Sequence, residues 1–150
     1  MRVTLVFSLC LLVGAPMSFG QGAAAAEGYC TPSNTKEISL RDVLKSPFEF
    51  ESACVTVEGY ATARALFYRK SDLKVRYPAQ NNRIAKRRLG IYGPEELMER
   101  VSSLHGSKLR LTGKIFDCSD LYVEGVVMVM GYCHYTDGPF IDLDQVETID

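Results

Sequence analysis

Tryptophan is absent from this chain of 150 residues, which by itself excludes little. No run of about 20 apolar residues, the length a bilayer-spanning helix needs, occurs in it, so no transmembrane segment is expected. No Cys-x-x-Cys knuckle is present, which argues against a zinc site. A glycine-rich phosphate loop, a zinc-protease helix and a nucleophile elbow are all missing, so no enzyme class declares itself by motif. From Asp117 onward there is no lysine or arginine at all. The formal charge of −1 therefore conceals an uneven distribution.

Met1 and Arg2 give the chain a positive start. Residues 3–13 are almost wholly apolar, Gly14, Ala15 and Pro16 break the run, and mostly small residues follow through Ala26. That order is the pattern of a secretory signal peptide. Residues 1–26 are expected to be a signal, cut somewhere within 20–26, and residues 27–150 a single domain, periplasmic or secreted. A buried N-terminal helix of a cytosolic protein would show polar residues at helical spacing, and this run does not. Cys10 would leave with the signal. Cys30, Cys54, Cys118 and Cys133 remain, an even number that reads as two disulfides in an exported chain. His134 beside Cys133 raises a zinc alternative, but neighbours on a strand point in opposite directions. No metal and no cofactor are expected.

Along the mature chain, Ser39 can cap a short helix with Asp42 in its first turn and Leu40, Val43 and Leu44 on one face; Pro47 ends it. Residues 52–60 alternate, with Ala53, Val55 and Val57 on one side and Cys54, Thr56 and Glu58 on the other, as a half-buried strand does. Gly59 sits where such a strand could bend. A second strand is expected over about 63–69, a long polar loop over 69–88, and a third strand over 89–92. Gly93-Pro94-Glu95-Glu96 starts a helix whose apolar stripe is Leu97, Met98 and Val101, with Glu95 and Glu96 favoured by the helix dipole. Residues 108–116 alternate again. Residues 123–132 form a more continuously apolar stretch, expected to be the last main strand, followed by a turn at Asp137-Gly138-Pro139 and a short extended piece over 140–143.

Three strands, a helix and two strands is the order of a five-stranded Greek-key OB barrel, whose helix lies between strands three and four. Val55-Thr-Val-Glu-Gly59-Tyr and Leu109-Arg-Leu-Thr-Gly113-Lys resemble the glycine-kinked first and fourth strands of that fold. The fold class expected is thus mainly β, an OB-type barrel with a short N-terminal helix added. Over most of residues 37–145 the chain resembles small exported bacterial OB-like proteins of unassigned role, and the resemblance brings no catalytic motif. Because the first and fourth strands of the fold pair antiparallel, it implies Cys54–Cys118 and, by remainder, Cys30–Cys133.

The clearest anomaly is charge. Arg69, Lys70, Lys74, Arg76, Arg83, Lys86, Arg87 and Arg88 face only Asp72 within 69–88, whereas the end of the chain is rich in Asp and Glu. The bland reading is a solvated loop that balances the acidic end. The functional reading is an anion-binding surface, since OB folds bind single-stranded nucleic acid or oligosaccharide on strands two and three and the adjoining loops. Candidate ligand-binding residues are Tyr68, Arg69, Lys70, Lys74, Arg76, Tyr77, Lys86, Arg87 and Arg88, with Phe67 and Tyr92 as further stacking surfaces. Nucleic acid is disfavoured as the ligand of an exported protein. His134 with Asp137 could act as a general base, but no nucleophile is placed beside it, and the aromatic string 131–139 reads as structural. His105 reads as a helix-end residue, Met128 and Met130 as buried strand residues, and Asp117 with Asp120 lacks the carboxylate set of a nuclease. The expectation is a non-enzymatic exported binding module for an anionic ligand or acidic partner. The alternative is an inhibitor, immunity-type or accessory protein that binds another envelope protein.

Overall fold

The computed structural model describes residues 28–74, 87–121, 131–134 and 137–149. The expected signal segment lies outside them. Strand β1 (Lys36–Glu37) leads into helix α1 (Leu40–Lys45), a 3-10 turn over Pro47–Phe50, strands β2 (Cys54–Ala61) and β3 (Ala65–Phe67), and a 3-10 turn over Lys70–Lys74. Strand β4 (Arg88–Tyr92), helix α2 (Glu95–Ser103) and strand β5 (Lys108–Asp117) follow, then 3-10 turns over Cys118–Leu121 and Gly131–His134, and strand β6 (Pro139–Thr148). Antiparallel pairs β2–β3 and β3–β4, the parallel pair β4–β6, and antiparallel β6–β5 run around a ring that β2–β5 closes. This is a closed five-stranded barrel of OB type, with α2 between its third and fourth strands. The short β1 adds on outside, parallel to β2.

The alternation read from the sequence is the one that fills the barrel. Val55 and Val57 on β2 and Leu109, Leu111 and Ile115 on β5 are buried with Leu66, Leu89, Ile91, Ile141, Leu143 and Val146. The register pairs Val57 with Leu111 and Gly59 with Leu109. On the outward face Thr56 and Thr112, also register partners, share a buried hydroxyl–hydroxyl hydrogen bond of 2.9 Å. Val127, in the stretch 123–132 expected to be the last main strand, lies outside the described residues. Leu40 and Val43 of α1 and Val101 of α2 join the same core, with Leu97 and Met98 packed against it. Ser39 caps α1 by accepting from the Asp42 N–H at 3.2 Å, and its hydroxyl donates to Asp42 Oδ2 at 2.6 Å.

Three expectations are corrected. The second barrel strand is shorter than 63–69, because Thr62 folds back on Ala65: its N–H and hydroxyl both donate to the Ala65 carbonyl, at 2.8 and 3.1 Å. The fifth strand is Pro139–Thr148, not 123–132; residues 123–130 lie outside the described set and Tyr132 sits in a 3-10 turn. The register slips by one residue on β6 opposite Thr112 and Gly113, so its inward residues run Ile141, Leu143, then Val146. That bulge, with carboxylates between the apolar positions, hides the period of two. Gly113 makes the crossing possible, since a Cβ there would collide with the Asp142 carbonyl.

The disulfides are Cys30–Cys54 and Cys118–Cys133, not Cys54–Cys118 and Cys30–Cys133. Cys54 is opposite Lys114 in the β2–β5 ladder. Cys118 is four residues further on, about 13 Å along the strand and out of disulfide reach. It lies instead where β5 ends beside the start of β6, with Asp117 opposite Pro139, and there it meets Cys133. Two disulfides point to an oxidising, extracellular-type environment. No helix among the described residues is long and apolar enough to cross a membrane.

A second apolar cluster lies outside the barrel: Ala65, Phe67, Phe140 and Tyr132, sealed by Cys118 and Cys133. The Tyr132 ring rests on Gly90, where any Cβ would overlap it. Gly90→Ala should therefore displace Tyr132 and cost roughly 1–3 kcal/mol of stability, read as a lower urea midpoint. Replacing Cys30 and Cys54 together by Ala should cost about 2–4 kcal/mol, with the barrel's circular dichroism retained.

Candidate anion-binding cleft

Helix α1 commits Leu40 and Val43 to the core, with Leu44 partly buried against it, so Arg41 and Lys45, four residues apart, share an exposed flank. The Tyr68 N–H donates to the Arg87 carbonyl at 3.4 Å, which holds the ends of β3 and β4 side by side. Between that flank and those strand ends is a cleft of about 400 Å³ lined by Arg41, Leu44, Lys45, Tyr68, Arg69 and Arg87. Arg41, Lys45 and Arg69 are exposed and form no ion pair among the described residues. Arg87 lies 3.8 Å from Oδ1 of the buried Asp72, whose Oδ2 has no hydrogen-bond partner among the described residues. Of these cations only Arg87 has a carboxylate beside it among the described residues, so the group is left with net repulsion, and an anion entering between them would reverse that sign. An opposite-charge contact at 4 Å gains about 1 kcal/mol in water and more where water is partly excluded.

Of the residues expected to bind, Tyr68, Arg69 and Arg87 line the cleft. Lys70 and Lys74 are exposed on the neighbouring 3-10 turn and do not line it. Arg76, Tyr77, Arg83 and Lys86 lie outside the described residues. Arg88 is 5% exposed: its Nε donates to the Tyr132 hydroxyl at 3.2 Å and its guanidinium stands 5.5 Å from that ring's centroid, so it belongs to the packing. Reversing its charge would test the fold rather than the loop. Arg41 and Lys45 escaped the sequence reading. Their spacing on a helix was visible, but not that the helix docks against β2 and β4, which brings it beside Tyr68 and Arg87.

The face on which OB barrels commonly bind is closed in this protein. Phe67 is 7% exposed beneath the Tyr132 cluster, so it offers no stacking surface. Tyr68 and Tyr92 remain exposed, each at 46%. His134 and Asp137 are exposed near the Cys118–Cys133 bridge, and each is engaged with other groups. Asp117 and Asp120 turn their carboxylates on their own backbone: Oδ1 of Asp117 accepts from the Ser119 N–H at 3.0 Å, and Oδ2 of Asp120 from the Asp117 N–H at 2.8 Å. Among the described residues no group of three or more His, Cys, Asp or Glu could hold a metal ion.

A second cleft, of about 460 Å³, adjoins the first through Tyr68 and runs along Glu37, Ser39, Glu58, Tyr60, Lys108 and Arg110. Here the charges are mutually satisfied. Glu58 accepts from Lys108 Nζ at 2.9 Å and from Arg110 Nη2 and Nε at 2.8 and 3.2 Å. Those hydrogen bonds from Lys108 and Arg110 hold its carboxyl below the ordinary value of 4.5. On β6 the opposite holds: burial, reinforced by the Asp144 charge, raises the Asp142 carboxyl despite Lys114 opposite it.

Fold and site together define a disulfide-bonded OB-type barrel with a cationic cleft at one end of its β3–β4 hairpin. No protein-family model matches the chain, and no curated protein matches it.

Because the Glu58 carboxyl is lowered on folding, its contribution to stability is complete above its unfolded value near 4.5 and fades as pH falls through the lowered folded value. Glu58→Gln should flatten the acid limb of a stability-versus-pH curve and lower stability at neutral pH, measured by urea unfolding between about pH 2 and 7.

Proposed function

We propose that the protein is a non-enzymatic exported binding module that captures an anionic group in the cleft between α1 and the ends of β3 and β4. The observation that carries this reading is the convergence of Arg41, Lys45, Arg69 and Arg87 on one concave surface, with Asp72, beside Arg87, the one carboxylate paired with them among the described residues. A merely solvated basic loop would spread its cations over a convex face. Here cations from a helix, a strand end and a loop point into one space of a size typical for small-molecule sites. Export, to the periplasm or beyond, is supported by the N-terminal signal pattern and the two disulfides. Arginine supplies planar donors suited to phosphate, sulfate or carboxylate, and Lys45 a point charge.

The test is calorimetric titration with tripolyphosphate, a compact polyanion. Arg41→Glu combined with Arg69→Glu should weaken binding by at least about tenfold, and Arg100→Glu on α2, outside the cleft, should leave it unchanged. Raising salt from about 20 to 200 mM should weaken wild-type binding steeply. Equal affinity in the wild type and the double variant would overturn the reading.

A further inference from the structure

The geometry points to a ligand with two unlike parts: one anionic group held in the cationic cleft, and a hydroxylated saccharide body that crosses Tyr68 into the second cleft. This rests on the anion-binding reading and adds the chemistry of the remainder of the ligand. The two clefts meet at Tyr68, which lines both and is 46% exposed at the junction. An exposed ring between two concavities is a stacking surface for the flat apolar face of a sugar. The clefts differ sharply in charge. The first presents cations with little carboxylate against them. The second holds Glu37 and Glu58 against Lys108 and Arg110, and Glu58 already takes up both cations in hydrogen bonds.

A ligand charged along its whole length would fit the first cleft and meet Glu37 and Glu58 in the second. A single-stranded nucleic acid carries a phosphate on every residue, so its continuation is disfavoured there. Uncharged hydroxyls are favoured, because Tyr60 and the carboxylates offer a donor and acceptors while the two carboxylates and two cations leave no net charge; Ser39, also on the lining, is committed to capping α1. A charged head with a neutral, hydroxyl-rich tail is the chemistry of a glycan bearing one terminal phosphate, sulfate or carboxylate. The covered outer face beneath Tyr132 takes no part in this site.

The experiment titrates the mature, disulfide-intact protein with inorganic phosphate, maltotriose, maltotriose carrying one terminal phosphate, and a ten-residue oligothymidylate. Phosphomaltotriose should bind about tenfold or more tighter than phosphate, while maltotriose alone binds far more weakly than either. Tyr68→Ala should erase that gain and leave phosphate affinity intact, whereas Arg69→Glu should weaken both. Phosphate binding with no gain from the sugar, or a gain that survives Tyr68→Ala, overturns the saccharide inference and leaves the anion cleft standing. Oligothymidylate binding tighter than phosphomaltotriose overturns it in favour of nucleic acid. Failure of every anion at low salt overturns the anion-binding reading itself.

Discussion

Everything in this molecule hangs on the ladder between β2 and β5. It runs from Cys54 opposite Lys114 to Tyr60 opposite Lys108, and it turns an open sheet into a barrel. Closure removes the sheet edges that would otherwise invite pairing with other chains. It also sets one register for the core, since a slip of one residue would turn Val55, Val57, Leu109 and Leu111 outward. The outward residues of the same ladder are placed equally firmly. Thr56 meets Thr112, and Glu58 meets Arg110 directly and Lys108 on the diagonal. The second cleft is therefore a by-product of the pairing that holds the barrel shut.

The chain uses its disulfides at opposite tasks. Cys30–Cys54 ties the N-terminal segment to the start of β2, helped by the Cys30 N–H donating to Asp144 Oδ2 at 2.8 Å. Cys118–Cys133 holds Tyr132 against Gly90 and so covers the outer face of β3 and β4. Covering that face moves the open concave surface elsewhere, to the side where α1 packs. The barrel is in this sense a scaffold for a site that its own strands line only at their ends.

Charge follows the same logic. The carboxylates near the end of the chain belong to a barrel strand rather than a tail, and several are occupied locally: Asp144 by Cys30, Glu147 by Arg110 at 3.9 Å. Arg69, Lys70 and Lys74 draw no ion pair from them or from any other described residue. A balance of charges summed over the sequence thus says little about which groups neutralise which.

Local chemistry made much of the fold legible beforehand. The Ser39 cap, the alternation through Val55 and Val57, the Gly93-Pro94 helix start and the repeat of Leu109 and Leu111 each express a rule acting within a few residues, and each is where the pattern placed it. The order of those elements was enough for the barrel type. What escaped were relations between distant segments. The bulge at Asp144 broke the period of two, so β6 read as a tail. The cysteine partners depended on where each strand ended, which a pairing direction alone does not give. Arg88 reads as one more cation among its neighbours until Tyr132 is placed over it. By itself the sequence determined the first four barrel strands in outline, the Ser39 cap and the uneven charge, because those follow from backbone periodicity and side-chain type. Only the tertiary structure decided that Arg41 and Lys45 stand with Tyr68, Arg69 and Arg87 around one cleft, because packing α1 against the barrel through Leu40 and Val43 is what brings residues distant in sequence together.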